Sequence, residues 1–544
     1  MYIKLSIINI VSMKIKLLLS SVFIRKITLC TFLLASALSS FSQDQKPIKF
    51  TLLLNKTAQQ IHNIGGSGCW YTEEIGKQWP LAEKQHIAEL LFSRGFEKDG
   101  RPKGIGLSAW RFNIGGGTAE QGDSSGIADP SRRVECFLSP DGTYDWSKQQ
   151  GYTWMLRQAK NYGVKDLIAF VNSPPVQFNK NGRGYKSQKD GSTNLRPDKY
   201  DAYANFLTEV IKHYDKEGLR FNYISPINEP QWDWLKQSNQ EGSPWTNEEM
   251  YQTIKSLNIS LQKQKLSTKI LTTEAGQLDF LYADKGRTSR QIDSFWNPKS
   301  PLYIGGFSNS TKFVEGHGYF TENGDSTLIN TRRSLRDTLK KYNGLEYWQS
   351  EYSMLGNGYK DKIEGKPSEM DHALFLAKVI NHDFTVGDAS AWHFWNAYEP
   401  GNPLNPRYFL IALNPQRASK PENKYTITKN LWTLGHYSLF IRPGMVRIET
   451  QRSDSLNDME VAQQVMVSAF KDPNGKSLVI NVINYTSETK KTDFVLKGLL
   501  KGQALKLKKH YITSEKQDDN IRPYPIGDTA LPPRSISTFI FSAL

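Results

Sequence analysis

The chain has 544 residues, 38% hydrophobic and 23% charged. That excludes a disordered polymer and allows two or three ordinary domains, or one large barrel with an attachment. The formal charge of +15 would suit an acidic polymer, nucleic acid or a membrane surface, but no basic run is dense enough for a nucleic-acid arm. The charge reads as a solvated surface, with attraction to an anionic glycan as the weaker alternative. Aromatics reach 12%, including 13 Trp and 25 Tyr, which fits either stacking on flat ligands or a large core.

Residues 1–42 have the pattern of an export signal. Lys14, Lys16, Arg25 and Lys26 precede the apolar run Ile27–Leu38, and Ser40 and Ser42 offer small residues for cleavage. Met13 is an alternative start. Cys30 follows Leu29 with no small residue before it, which argues against a lipid anchor. No later stretch has the length and apolarity of a membrane span, so the sequence predicts a secreted, periplasmic or cell-surface protein without stable membrane insertion. Beyond the leader only Cys69 and Cys136 remain. Two cysteines make no disulfide framework, and their pairing is left open.

From Ile61 to Ala397 a short apolar run, a polar loop and a helical segment recur. The runs are Ile61–Gly66, Ser108–Ile114, Asp166–Asn172, Tyr223–Asn228, Ile270–Glu274, Phe313–Tyr319, Tyr347–Glu351 and Ala389–Trp395. Between them, Tyr200, Tyr203, Phe206, Leu207, Val210, Ile211 and Tyr214 recur at spacings of three and four, one buried helix face. Glu249–Leu266 and Met370–Phe384 read as further helices. Eight strands alternating with helices predict an α/β fold, a (β/α)8 TIM barrel over 61–425. An open doubly wound sheet is the rival, but Gly115-Gly116-Gly117 lacks the spaced dinucleotide pattern and a helix directly after it. After Asn430 the pattern becomes short alternating runs with turn residues such as Pro473-Asn474-Gly475. This predicts an accessory all-β sandwich over 426–544, with 47–60 as an added strand.

Glu229 closes the fourth run, where Pro230 ends the strand, and Glu351 closes the seventh. Strand C-termini line the active face of a barrel, so two glutamates there can flank one scissile bond. Glycoside hydrolysis uses such a pair, one carboxyl protonated and the other ionised. Asn228, beside Glu229, can hydrogen-bond a sugar hydroxyl. Trp395 is the better stacking platform at the eighth strand, since Trp392 and His393 face opposite ways there. Trp70 and Trp232 are rim candidates. Asn172, Ser173 and the Pro174-Pro175 loop shape the neighbouring subsite. His residues are scattered and no HExxH or paired CxxC occurs, so no metal or other cofactor is expected.

These stretches resemble glycoside hydrolase family 30, of clan A. The likeness runs through GGSGCW (Gly65–Trp70), SAWRFNIGGG (Ser108–Gly117), FVNSPPVQFNKNG (Phe170–Gly182), EGHGYF (Glu315–Phe320), WQSEYSM (Trp348–Met354) and LGHYSLFIRPGMVRI (Leu434–Ile448). The resemblance implies a retaining O-glycosyl hydrolase with Glu229 as acid/base and Glu351 as nucleophile. It further implies that Arg111 holds the nucleophile ionised and that Asn228 binds the hydroxyl next to the anomeric carbon. His317 and Tyr319 end the sixth run, where Tyr319 is placed to orient Glu351 and His317 to bind a sugar hydroxyl. WRFNIGGGTAEQG and NSPPVQFNKNG look most like the endo-β-1,6-galactanase branch, departing at Gln177 and Phe178 where that branch usually carries a methionine. Arabinogalactan side chains are then the expected substrate. A β-1,6-glucanase, a xylan-active hydrolase and a carbohydrate-binding protein without turnover are the alternatives. Oligomeric state is not read from the sequence.

Overall fold

The computed structural model describes residues 46–418, 424–499 and 504–543; the leader expected over 1–42 lies outside them. The first strand, β1 (Ile48–Gln60), precedes eight short ones: β2 (Asn63–Ser67), β3 (Ala109–Asn113), β4 (Asp166–Phe170), β5 (Tyr223–Ser225), β6 (Lys269–Ile270), β7 (Phe313–His317), β8 (Glu346–Tyr352) and β9 (Ala389–Phe394). Each of β2–β9 overlaps one of the eight apolar runs, β6 only at Ile270, since its strand ends where the expected run begins. They pair in parallel in the order β6-β5-β4-β3-β2-β9-β8-β7. Parallel bridges Ile270–Ser310 and Ala275–Gly316 join the two ends, so the sheet closes as a TIM-like barrel. Nearly every barrel-strand residue is buried, as strands covered on both faces require. Inside, Ala109, Ile168, Leu271, Trp348 and Ala391, from five different strands or strand ends, form a packed layer.

The helices form where their sequences favour them. Tyr200–Lys216 buries Tyr203, Phe206, Leu207, Val210, Ile211 and Tyr214 on one face, and the chain leaves it through Gly218 at φ +74°. Asn247–Lys263 begins with a Thr246/Glu249 capping box, and Glu369–Thr385 with a Ser368/Asp371 box. The second of these is buried on almost all sides because it lies between barrel and side domain. Its Met370, Ala373, Leu374 and Ala377 pack on Met466, Ile483 and Ile536. Burial round most of the circumference is what two partners demand, and the polar residues that it encloses, Lys378 and Asp383, are paired with Asp325 and Arg332.

The side domain is a nine-stranded sheet in which β1 pairs antiparallel with Val446–Arg452. Phe494, five places from Ser535–Ala543 in the strand order, packs at 4.9 Å from Phe539. The sheet therefore folds back into two layers, as a sandwich does. A three-stranded sheet of Tyr398–Pro400, Ile411–Leu413 and Tyr425–Ile427, not anticipated from the sequence, extends the region after β9. Among the described residues no helix is long and apolar enough to cross a membrane. Cys69 and Cys136 are separate, buried thiols.

Candidate active site

Glu229 follows β5 by way of Pro226 to Asn228, and Glu351 lies within β8. Both are buried. A carboxylate oxygen of each and a His317 ring nitrogen all fall within 4.8 Å of one another. Local backbone makes this possible in two ways. A register shift sets His317 opposite Glu351, with Gly316 opposite Gln349, so Ser350 is the extra residue of a bulge. A bulge re-aims side chains, and here both Ser350 and Glu351 serve the same buried cluster. Glu229 and Glu274 both have left-handed backbones, φ +43° and +37°, and the Glu229 N–H donates to the Glu274 carbonyl at 3.0 Å. Each such residue costs on the order of 1–2 kcal/mol, which the surrounding hydrogen bonds must offset.

Arg111 Nη1 donates to Glu351 Oε2 at 2.6 Å, and the Tyr319 hydroxyl donates to Oε1 at 2.9 Å. The guanidinium also lies 4.3 Å from the Phe170 ring centre and 3.7 Å from Glu274. His317 Nδ1 is 2.8 Å from Glu229 Oε1 and 3.5 Å from Glu351 Oε1, while Nε2 is 3.0 Å from Glu274 Oε2. Burial alone would discharge this imidazole. The surrounding carboxylates, Glu351 foremost, reverse that and hold its pKa at about 10. Burial likewise opposes charge on Glu274, but Arg111 and His317 prevail and keep it at about 2. For Glu229 burial wins, so its carboxyl is raised above the ordinary range against the lowering pull of His317. One carboxyl inclined to hold a proton thus faces one bound by Arg111 and Tyr319.

The pocket above these groups has a volume of about 240 Å³. Its lining includes Glu229, Glu351, Asn172, Asn228, Tyr319, Trp70 and Trp395. Asn228 Oδ1 is buried without a protein partner, which leaves an acceptor for a ligand hydroxyl. Trp70 and Trp395 meet edge to face at 5.5 Å. Arg111 and His317 lie beneath the lining, and both ring nitrogens of His317 are committed to protein carboxylates. Trp232 is not in the lining: its ring packs edge-on to Phe280 at 5.8 Å and its side chain hydrogen-bonds Glu229, while Trp234 lines the pocket. Trp392 faces outward and donates to Asp383, whereas His393 points inward to Asn63. Gln177 donates to the Leu138 carbonyl, away from this pocket.

Sequence reasoning passed over Trp234, Arg132, Gln240, Glu399 and the buried Glu274. Arg132 lies over the Trp70 ring at 4.5 Å and reaches Gln240 and Glu399 at 3.3 Å each. The WDW triplet was a signal for Trp234, but the left-handed backbone there (φ +46°) decides which Trp enters the pocket. Glu229, His317 and Glu351 have the spacing of a metal site. The doubly engaged imidazolium has no lone pair for an ion, and Arg111 already neutralises Glu351, so the donor set does not suit one. A larger cavity of about 540 Å³ opens on the other side of Trp70. Its carboxylates have protein partners: Arg417 for Glu74, the amides of Gly151 and Tyr152 for Glu73, and the amide of Gln149 for Glu135.

The barrel, its side sheet and this carboxylate pair define a glycoside hydrolase. Residues 47–405 match the family described as O-glycosyl hydrolase family 30, and the chain belongs to it. It is 22% identical over 476 residues to a glucuronoxylanase, XynC, of Bacillus subtilis strain 168, covering 84% of this chain and 90% of that one. A solved conserved exported protein from Bacteroides fragilis aligns at TM-score 0.83 and 31% identity, covering 90% of this chain and 99% of that one. A solved endo-β-1,6-glucanase shares the fold at TM-score 0.61 and 16% identity, covering 92% and 94%.

Proposed function

We propose that the protein is a retaining β-glycosidase acting through Glu229 and Glu351. The observation that carries this reading is their separation: oxygens within 4.8 Å fit the ~5–5.5 Å carboxyl spacing of retaining enzymes and leave no room for the water of an inverting one. In the first step Glu351 attacks the anomeric carbon, the glycosidic C–O bond breaks, and its electron pair leaves on the departing oxygen. That oxygen takes the Glu229 proton. In the second step water attacks the anomeric carbon of the glycosyl ester and gives a proton to Glu229, and Glu351 departs as a carboxylate. Arg111 and Tyr319 stabilise Glu351 whenever it is ionised. Asn228 and Asn172 bind hydroxyls, and Trp395 and Trp70 offer ring faces to the sugar.

The proposed substrate is β-1,6-galactan, cleaved internally, in arabinogalactan side chains. The WRFNIGGGTAEQG and NSPPVQFNKNG stretches support it. Residues 61–425 would form the catalytic barrel, with 47–60 and 426–544 its side domain, and export would follow from the basic and apolar leader. The test is a product profile on β-1,6-galactan, β-1,6-glucan and glucuronoxylan, with the anomer followed by NMR. Oligosaccharides of retained configuration from galactan are expected. Faster release from glucan or xylan overturns the substrate, and an inverted product overturns the mechanism.

A further inference from the structure

Glu274 is fully buried and is not part of the pocket lining, so it does not meet substrate. It nonetheless touches Arg111, His317 and the backbone of Glu229. Its Oε1 accepts from Ser225 at 2.8 Å and lies 3.7 Å from Arg111. Its Oε2 accepts from Ser350 at 2.7 Å and faces His317 Nε2 at 3.0 Å, and its carbonyl takes the Glu229 N–H. A carboxylate with this many donors stays ionised.

We propose that Glu274 is a positioning residue that keeps His317 doubly protonated and thereby confines the acid's proton to Oε2 of Glu229, the oxygen that His317 does not engage. This rests on the assignment of Glu229 as acid/base. The argument is one of donors and acceptors. A neutral imidazole donates from one nitrogen only, whereas both nitrogens of His317 face carboxyl oxygens. With Glu274 ionised, Nε2–H points to it, and as an imidazolium His317 also donates Nδ1–H to Glu229 Oε1. That oxygen must then be the acceptor, so the proton of the neutral acid sits on Oε2. Without the charge of Glu274, Glu351 and Glu229 alone must hold the second proton; a His317 that gives it up offers an Nδ1 lone pair instead, and the Glu229 proton turns toward it and away from the substrate. The other charged or titratable groups facing His317 are Glu229 beyond β5, Arg111 on β3, Tyr319 beyond β7 and Glu351 on β8. Glu315 on β7 and His393 on β9 face Glu274. Charge bookkeeping agrees. Arg111 and His317 balance Glu274 and Glu351, and Glu229 is neutral when it carries its proton.

The test uses the full-length enzyme and a leaving-group series. For Glu274→Gln, kcat/KM on the natural oligosaccharide, which needs the acid, should fall ~10²-fold, while kcat/KM on a dinitrophenyl glycoside, which does not, should fall only a few-fold. Combining it with His317→Asn should add nothing to the loss from His317→Asn alone, because one acts through the other. Equal losses on both substrates, or additive losses, overturn the proposal. If Glu274→Gln does not fold, ¹⁵N-histidine NMR of the wild type decides. Both ring nitrogens of His317 should remain protonated from pH 5 to 8, and a neutral tautomer at pH 7 overturns the proposal. The parent assignment fails separately: Glu229→Ala would then show no dependence on leaving group.

Discussion

Arg111 Nη1 and Glu351 Oε2 sit 2.6 Å apart with both side chains almost entirely out of solvent. A contact so close and so dry holds the carboxylate in a fixed orientation. Arg111→Lys keeps a charge but loses the planar fork that also spans Phe170 and Glu274. Its kcat/KM is expected to drop ~10²-fold with the fold intact, as circular dichroism and steady-state rates would reveal.

Glu351→Gln removes the carboxylate proposed to attack and leaves the pocket shape alone. It should bind oligosaccharide within a few-fold of wild type, seen by calorimetry, with turnover down at least ~10³-fold. Retained turnover would sink the assignment of Glu351 as nucleophile.

Trp395→Ala removes a pocket wall that also braces Trp70 and Phe170. Affinity should weaken roughly tenfold, on the order of 1.4 kcal/mol, with a rise in KM exceeding any fall in kcat. The reverse split would mean that the ring serves the chemistry and not the grip.

The pH dependence of stability has a definite sign. Glu315 is buried, and burial lifts its carboxyl to about 8, although Thr272 and Thr273 donate to it. A carboxyl raised in the folded state stabilises fully below its unfolded value of ~4.3, and that contribution is lost as pH climbs through 8. His317, raised to about 10, is lost in the same direction, from ~6.5 upward. Glu274, held at about 2, is lost only as pH falls below ~4.3. Thermal unfolding should therefore show declining stability from pH 5 to 9, with Glu315→Gln flattening the part between 5 and 8.

Outside the pocket, Arg332 and Asp383 form a fully buried pair at 2.8 Å that also holds Trp392 and Thr321. Asp383→Ala strands a guanidinium and should cost about 3–5 kcal/mol in denaturant unfolding. Adding Arg332→Met should recover much of the loss.

The sequence showed the barrel because its strands are local apolar runs, and it pointed to Glu229 and Glu351 because each ends such a run. Glu274 also ends a run, yet the role proposed for it was invisible. Its partners, Arg111, Ser225, His317 and Ser350, come from four other strands, and only the closed barrel brings them together. Trp234 and Arg132 were hidden for a related reason, since loop backbone and not strand alternation sets where they point. The three-stranded sheet after β9 was missed because strands of three residues leave almost no periodicity to read.

The pairing of Phe50 with Arg452 has a consequence for biogenesis. The first strand to leave a ribosome must wait for a partner about 400 positions later, on the order of 20–80 s at ordinary elongation rates. Throughout that interval the nascent barrel carries an unmatched ribbon edge, a template for wrong pairings. A permuted gene that makes these two strands neighbours would shorten the exposure and should refold with less aggregation.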